Sequence, residues 1–430
     1  GKVLMKDYIV LDINHGGDIL ASILKSRGHN VIVYDIYQTR NDKKQKLEQN
    51  GIKLIESVTR DYKNYIVAYP VHCPDYFLSF FPNNEKITHH ELVKSLFENE
   101  SYNNKIVEIT GSKGKTTTSN IIAYLLSFWE DTYLNSSRGL EKIVKGESQL
   151  IDYKNSISPG YTAQTLSQYN KESLILEESL GVCGAGAISI LTSASPVYEI
   201  KRGQGTSLDA KNQVFTLSSG TIIIDGNDKL ANEMAKKFDR DVLQIWRDVY
   251  IERWDKLDIG KDYDFKIYID KNEFSVNFKG NYLLAGYINP ILFGFLTLNI
   301  LKKNSNIVAN HLSQFNGVEN RLTVSKNDKS TKIIDKSGGF SEDSLRYLLQ
   351  ILKVNYNMPY DNINLLIDMK NKSHCQKTNI AELDKVVGEF NFIDNAFLSG
   401  NYDFDNFKYL KNSEDLEIRK GDLLIQCGKG

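Results

Sequence analysis

The chain has 430 residues, 41% hydrophobic and 25% charged, with 53 basic and 54 acidic side chains and a formal net charge of −1. That length calls for two or three domains, each with its own core, and the balanced charge excludes a general nucleic-acid or membrane-surface binder. Four cysteines without C-x-x-C spacing (Cys73, Cys183, Cys375, Cys427) exclude a disulfide framework and a Cys-rich zinc site. No signal-peptide pattern and no apolar run of about 18 residues is present, so a cytoplasmic enzyme with no membrane partner is the expectation.

In chain order, residues 8–14 read as a buried parallel strand, His15-Gly16-Gly17 as a turn, and Asp18 to Arg27 as a helix ended by Gly28. Val31 to Asp35 gives a second strand with an acid at its carboxyl end. This βαβ unit opens a doubly wound domain, although it lacks the full G-x-G-x-x-G of a dinucleotide site. Further strands are expected at Lys53–Glu56 and Tyr65–Tyr69, followed by the Pro-marked loop Pro70-Val-His-Cys-Pro74. Thr88-His-His-Glu91 has the form of a capping box, with Thr88 as N-cap. The polar stretch Asn99–Asn104 is expected to link this domain to the next.

Ile106 to Ile109 is a β-type run that feeds Thr110-Gly-Ser-Lys-Gly-Lys-Thr-Thr-Thr118 and then a helix-spaced segment to Leu126. Strand, glycine turn with lysine, then hydroxyls at a helix start is a way to hold a polyphosphate. Backbone N–H groups of Gly111, Ser112, Lys113 and Gly114 and the positive helix end face the anion, Lys115 adds a point charge, and Thr116 can reach Mg²⁺, with Thr117 beside it. The long Walker pattern would want glycine where Ile109 stands, and an ordinary glycine turn is the competing reading.

Three more strand-like runs follow, Leu174–Glu178, Ala187–Thr192 and Thr221–Asp225, then antiparallel segments between Val249 and Phe278. Asn289-Pro290 reads as N-cap and first residue of an apolar helix running to Leu301. From about residue 319, strand and helix alternate: Lys332–Asp335, Asp343–Val354, Asn364–Asp368, a strand at Glu389–Ile393, and Asp422–Gln426. Ligands of open α/β sheets sit at strand carboxyl ends. Glu177 and Glu178 occupy such an end, where a carboxylate suits Mg²⁺. Lys211 after a glycine-rich loop, Arg321 with its forked cation, and Asp335 at a strand end are weak signals one by one. The seven histidines show no zinc-protease spacing, and His89-His90 reads as a helix start.

Together these segments resemble the Mur ligase superfamily over nearly the whole chain, with a first domain similar to the MurC/MurD branch. The match is carried by the short phosphate loop at 110–118, Leu176-Glu177, Ala210-Lys211, Asn227-Asp228, Gly286-Tyr-Ile-Asn289, Gly317-Val-Glu-Asn-Arg321 and Ile334-Asp-Lys-Ser337. The resemblance implies three α/β domains. Residues 1–100 would form a Rossmann-like acceptor domain, 101–318 a P-loop ATPase domain with a mainly parallel sheet, and 319–430 a C-terminal Rossmann-like domain. It implies ATP and Mg²⁺ as cofactors, with Thr116 and Glu177 at the metal, Asn289 near adenine, and Arg321 and Asp335 toward ATP. It also implies a Lys211 that is often carbamylated and helps bind a second Mg²⁺. His15, Gly16, Gly17 and Asp35 are the acceptor-domain candidates.

The sequence departs from the family at two places. The metal-binding Asp-His is replaced within Leu191-Thr-Ser-Ala-Ser-Pro-Val-Tyr198, and Glu177-Glu-Ser-Leu-Gly-Val-Cys-Gly-Ala-Gly186 is unlike bacterial members. The first departure puts the second metal in doubt. Together with His15-Gly-Gly, Pro70-Val-His-Cys and Ser137-Arg-Gly139, the second segment resembles a methanogen branch. That branch contains pseudomurein peptide ligases and the synthase that closes the last ring of a nickel-tetrapyrrole coenzyme. A monomeric peptide ligase of archaeal cell-wall synthesis, joining an amino acid to a UDP-linked acceptor, is the leading expectation. The ring-closing synthase is its rival, and a non-catalytic nucleotide-dependent binding protein is a third class.

Overall fold

A computed structural model describes residues 4–39, 42–98, 105–328, 330–368, 380–399, 406–410 and 413–429. The expected linker Asn99–Asn104 lies outside the described residues. The chain divides into two compact units, residues 1–248 with 296–301, and residues 249–295 with 302–430.

The first unit opens with β1 (Asp7–Leu11), α1 (Gly17–Ser26), β2 (Asn30–Tyr34), α2 (Lys43–Gln49), β3 (Lys53–Ile55), β4 (Ile66–Tyr69), α3 (Asp75–Leu78), β5 (Lys86–Thr88) and α4 (His89–Phe97). Its strands form a parallel sheet in the order β3-β2-β1-β4-β5. Val10 and Val33 are fully buried, as near-continuous apolar strands covered on both faces must be. The sheet winds outward one way from β1 to β3 and the other way from β1 to β5. A switch point therefore lies between β1 and β4, and ligands of such sheets bind at this crevice. The capping box at Thr88 is formed, with Thr88 and Glu91 each bonding the other's backbone N–H.

The unit continues with β6 (Ile106–Thr110), α5 (Lys115–Leu126), β7 (Thr132–Ser136), β8 (Gly139–Val144), β9 (Glu147–Asp152), α6 (Pro159–Gln168), β10 (Ser173–Glu177) and β11 (Ile188–Leu191). A short ribbon of β12 (Glu199–Ile200) and β13 (Gly205–Thr206) leads to α7 (Ser207–Lys211), α8 (Gln213–Leu217), β14 (Thr221–Asp225), α9 (Lys229–Lys237) and β15 (Leu243–Ile245). Strands β15-β14-β11-β6-β10-β7 run parallel in that order, and β8 and β9 extend the edge as an antiparallel meander. One apolar core is continuous between the two sheets, joining Val10, Leu20 and Leu92 to Ala163, Leu174 and Leu176. At this seam the β1–α1 turn meets the start of α6 backbone to backbone. A Cβ at Gly160 would lie 2.1 Å from the Gly16 carbonyl oxygen, and one at Gly16 would lie 2.9 Å from the Gly160 Cα.

In the second unit, Val249–Ile251, Tyr263–Ile269 and Asn272–Phe278 are antiparallel, as expected. A six-stranded sheet has the order Thr323–Lys326, Thr331–Lys336, Leu423–Gly428, Ile363–Asp368, Asn395–Ser399 and Lys408–Leu410, all parallel beyond the first pair. Two expectations need correction. The apolar helix begins at Leu284, so Pro290 sits inside it and Asn289 is not its N-cap. Leu284-Ala-Gly-Tyr-Ile is apolar enough to start the helix early, and proline within the second turn costs one hydrogen bond rather than ending it. The strand placed at Glu389–Ile393 lies instead at Asn395–Ser399. The helix Ile380–Gly388 runs up to Gly388, so the next residues are spent turning. Asp394 pins that turn by accepting the Ile363 N–H at 2.7 Å.

Gly160→Val should lower stability by about 2–3 kcal/mol, because backbone cannot give way as a side chain can. Gly28→Ala is the control, since that glycine has φ +88 but nothing within 4 Å of a Cβ; it should cost only about 1–2 kcal/mol of left-handed strain. Urea unfolding monitored at both far-ultraviolet and tryptophan wavelengths would rank the two.

Candidate functional site

The phosphate loop leaves β6 and enters α5 through two glycines in conformations other residues avoid. Gly111 has φ +154 and a Cβ there would lie 2.0 Å from Thr192 Oγ1; Gly114, with φ +84, is the N-cap of α5. The Lys115 ammonium donates to the Gly111 carbonyl at 2.8 Å, folded back over the loop. Because β6, β10 and β7 are parallel neighbours, their carboxyl ends line up. Thr116 Oγ1 donates to Glu177 at 2.9 Å, the Ser137 N–H donates to the same carboxylate at 2.9 Å, and the Thr116 and Ser137 hydroxyls lie 3.0 Å apart. This all-oxygen set, with Glu177 1% exposed, fits a small hard cation such as Mg²⁺.

Lys211, at the end of α7, is fully buried. Its ammonium donates to Ser112 Oγ at 2.7 Å and stands 4.8 Å from the centre of the Tyr198 ring. Burial, and then repulsion from Lys115, lower its pKa to about 7. The side chains of Lys211, Lys115, Thr116 and Glu177 thus gather around the 110–116 loop.

The segment standing where the family has Asp-His serves as a brace. Thr192 Oγ1 donates to the Lys113 carbonyl at 2.6 Å, and Ser193 Oγ accepts the Lys113 N–H at 3.0 Å. The Ser193 carbonyl accepts the Ser112 N–H at 3.0 Å, and the Pro196 carbonyl accepts the Ser112 hydroxyl at 2.6 Å. Asp228 caps α9 and fixes the brace by accepting the Ala194 N–H at 2.7 Å. This segment offers hydroxyls, carbonyls and a ring but no imidazole, so it does not fit the family's second metal site. Thr192, Ser193 and Tyr198 were missed as site residues because the segment was read only for what it lacked. Ser137 could have been found by aligning strand ends, since Asn135 is in register with Leu176.

Beside Glu177, Glu178 turns into the interior and meets Glu108. Glu108 accepts N–H groups of Cys183, Gly184 and Gly186 at 2.9, 3.1 and 3.0 Å. Burial raises the pKa of both carboxyls, and repulsion from Glu108 raises that of Glu178 further. The pair ties down the glycine-rich loop 181–186. Of the two acids proposed for Mg²⁺, only Glu177 faces the phosphate loop.

At the carboxyl end of β1, Asp12 and His15 both have positive φ (76° and 52°). His15 Nδ1 lies 2.8 Å from Asp12 Oδ2, and its ring meets His72, from the loop after β4, edge to face at 4.9 Å. Burial lowers the pKa of His72, of His89 to about 3 and of His90 to about 4. Gly17 is required because a Cβ there would lie 1.8 Å from the Asp12 carbonyl oxygen. Asp35 is committed elsewhere, ion-paired with Lys44 at 2.8 Å and accepting the Thr39 N–H at 3.0 Å.

Asn289, Arg321 and Asp335 belong to the second unit. Asn289 is a half-buried helix residue. Burial raises Asp335 to about 6 against the opposing pull of Arg321, and its carboxylate accepts the Leu322 N–H at 3.3 Å. Tyr287, fully buried, holds the Gly317–Arg321 turn through the Val318 N–H at 2.9 Å and the Arg321 carbonyl.

This architecture is the Mur ligase fold. The MurF ligase of Thermotoga maritima, solved in complex with ADP, superposes with a TM-score of 0.58 at 14% identity, covering 100% of this chain and 92% of that one. A pseudomurein peptide ligase type C from Methanothermus fervidus gives a TM-score of 0.50 at 15% identity, covering 99% and 97%. In sequence, the chain is related to the coenzyme F(430) synthetase of Methanosarcina acetivorans, with 32% identity over 246 residues, 54% of this chain and 52% of that protein. The chain spans about half the length of the curated relatives it matches. No protein-family model matches. No described helix is long and apolar enough to cross a membrane.

Because the folded pKa of Lys211 lies below the unfolded value, the unfolded chain binds more protons above about pH 7. Stability from this group therefore rises with pH between about 7 and the ordinary lysine range, by up to about 1.4 kcal/mol per unit. Lys211→Met should remove that slope. Urea midpoints of both proteins at pH 7, 8 and 9 would show it; parallel curves would contradict it.

Proposed function

We propose that the chain is an ATP-dependent Mur-type ligase that activates a carboxylate as an acyl phosphate, acting as a ring-closing synthase on a nickel tetrapyrrole. The observation carrying the first half is the Glu177 carboxylate, held by the phosphate-loop Thr116 and by Ser137 at the ends of neighbouring parallel strands. The second half rests on the sequence relation to coenzyme F(430) synthetases. That relation moves this reading ahead of the peptide ligase of cell-wall synthesis first expected, whose neighbour shares 15% identity and hence the fold.

Thr116, Ser137 and Glu177 would hold Mg²⁺, which would neutralise phosphoryl charge when bound. The N–H groups of Gly114, Lys115 and Thr116 at the start of α5 would cradle the phosphates, since Ser193 already takes those of Ser112 and Lys113. Lys115 exchanges the Gly111 carbonyl for a phosphoryl oxygen, and Lys211, behind Ser112, adds positive charge when protonated. A substrate carboxylate oxygen attacks the γ-phosphorus as the bond to ADP breaks. A nucleophilic atom of the same substrate then attacks the acyl carbon, loses its proton, and phosphate leaves. Positioning and electrostatics supply most of the acceleration in such transfers. In the second unit, Arg321 and Asp335 are the groups proposed to complete the nucleotide site, with Asn289 near the base.

Phosphate release is the test. Stimulation by a seco-type nickel tetrapyrrole alone supports ring closure. Stimulation only by a UDP-linked acceptor together with a free amino acid would replace it with peptide ligation, and ATP turnover with no covalent product would leave a binding protein. Lys115→Ala should lower substrate-dependent phosphate release by about 10²–10³-fold, with an unchanged melting temperature; near-normal turnover would remove Lys115 from the mechanism.

A further inference from the structure

The crevice between β1 and β4 carries a chemistry that phosphate or carboxylate recognition does not call for. Asp12, His15 and His72 each offer a ligand atom, all within 4.8 Å of one another. Asp12 is fully buried, whereas the His15 side chain is 55% exposed. With Nδ1 of His15 donating to Asp12 Oδ2 at 2.8 Å, the lone pair of that ring is left on Nε2. A carboxylate behind an imidazole in this way is the usual support of a metal-ligating histidine, fixing its tautomer and raising its basicity. His72 Nε2 is buried with no hydrogen-bond partner among the described residues, and His89, 1% exposed, stands near Asp12 and His72. Buried ring nitrogens left unpaired in this way are costly, and their cost is removed by a ligand that accepts a nitrogen lone pair.

We propose that His15 and His72, with Asp12 as the support of His15, form an imidazole site for a divalent transition metal of the nickel or cobalt type. Imidazole suits such ions, whereas Mg²⁺ prefers the oxygen set at Glu177. Two imidazoles are fewer than the four ligands of a retained structural ion. They match a metal that brings its other ligands with it: a free hydrated ion can take both imidazoles, and the central ion of a macrocycle docked at the sheet edge, with one open position on the face it presents, would take the exposed His15. That source rests on the ring-closing reading of the activity; a free hydrated ion is the other source of the same chemistry. Helix α4, which carries His89 and His90, also reaches the end of β10. His90 Nε2 is 3.0 Å from the carbonyl of Ser179, two residues beyond Glu177.

The test titrates the full chain with a nickel tetrapyrrole, following its visible spectrum, and separately with Ni²⁺ by calorimetry. Wild type, His15→Ala and His72→Gln are compared. The expected result is a shift in axial coordination on binding and an affinity loss of about 10- to 100-fold in His15→Ala, with ATP binding and melting temperature unchanged. Binding of Ni²⁺ alone, lost in the same variants, supports the site with a free ion as its source. Spectra and ion heats that are identical in wild type and variants, or absent in all, overturn it and leave Asp12–His15 as a proton-accepting pair. Phosphate release read in the same samples separates the two assignments. Ligation through His15 without macrocycle-dependent turnover keeps the site and rejects ring closure, and turnover with unshifted spectra does the reverse.

Discussion

The meeting of the 110–116 loop with Glu177 and Ser137 depends on the register of β6, β10, β7 and β11. With Glu177 in register with Ile109, and Asn135 with Leu176, the residues just past each strand emerge at one level. The phosphate loop, Glu177 and Ser137 then meet without any long side chain having to search for its partner. A slip of one residue would turn Glu177 to the opposite face and bring Glu178 into its place. Two adjacent glutamates therefore have opposite fates through the period of a strand alone. One faces the loop, and the other is buried with Glu108 to hold the glycine segment 181–186.

Rigidity is distributed to match. The hydrogen bonds that steady the loop come from outside it, from Thr192, Ser193 and the Pro196 carbonyl, and they take up the Ser112 and Lys113 N–H groups. Asp228 secures that brace to α9. The same segment seats Tyr198 against Lys211, where a ring face offers a buried ammonium some attraction but no proton acceptor. The low pKa of Lys211 follows from its burial and, next, from the nearby charge of Lys115.

Much of this was legible in the chain. Hydrophobic runs ending in acids located the parallel strands, and the Gly111–Thr116 spacing located the loop, because both signals are local. The capping box at Thr88 was local too. The start of the helix around Pro290 was not, since proline is tolerated in a helix when the preceding apolar residues pack. Nor was the strand after Gly388, where alternating Phe390 and Phe392 imitate a strand within a turn. The histidine cluster was invisible for a different reason. His15 and His72 are 57 positions apart in the chain, and only the switch point between β1 and β4 brings them together. The brace was hidden because it works largely through main-chain groups and small hydroxyls, which carry no motif.

The contact between Gly16 and Gly160 has a consequence for how such a chain can change over time. Most tight contacts can be traded: one partner grows while the other shrinks, and intermediates survive. Here each glycine already has the smallest side, and what it touches is the other's main chain, which no substitution can shrink. No compensating replacement exists at either position, so the two are locked together. Variation is then channelled into the neighbouring loop tips, such as those bearing His15 and His72, while the seam beneath them stays fixed.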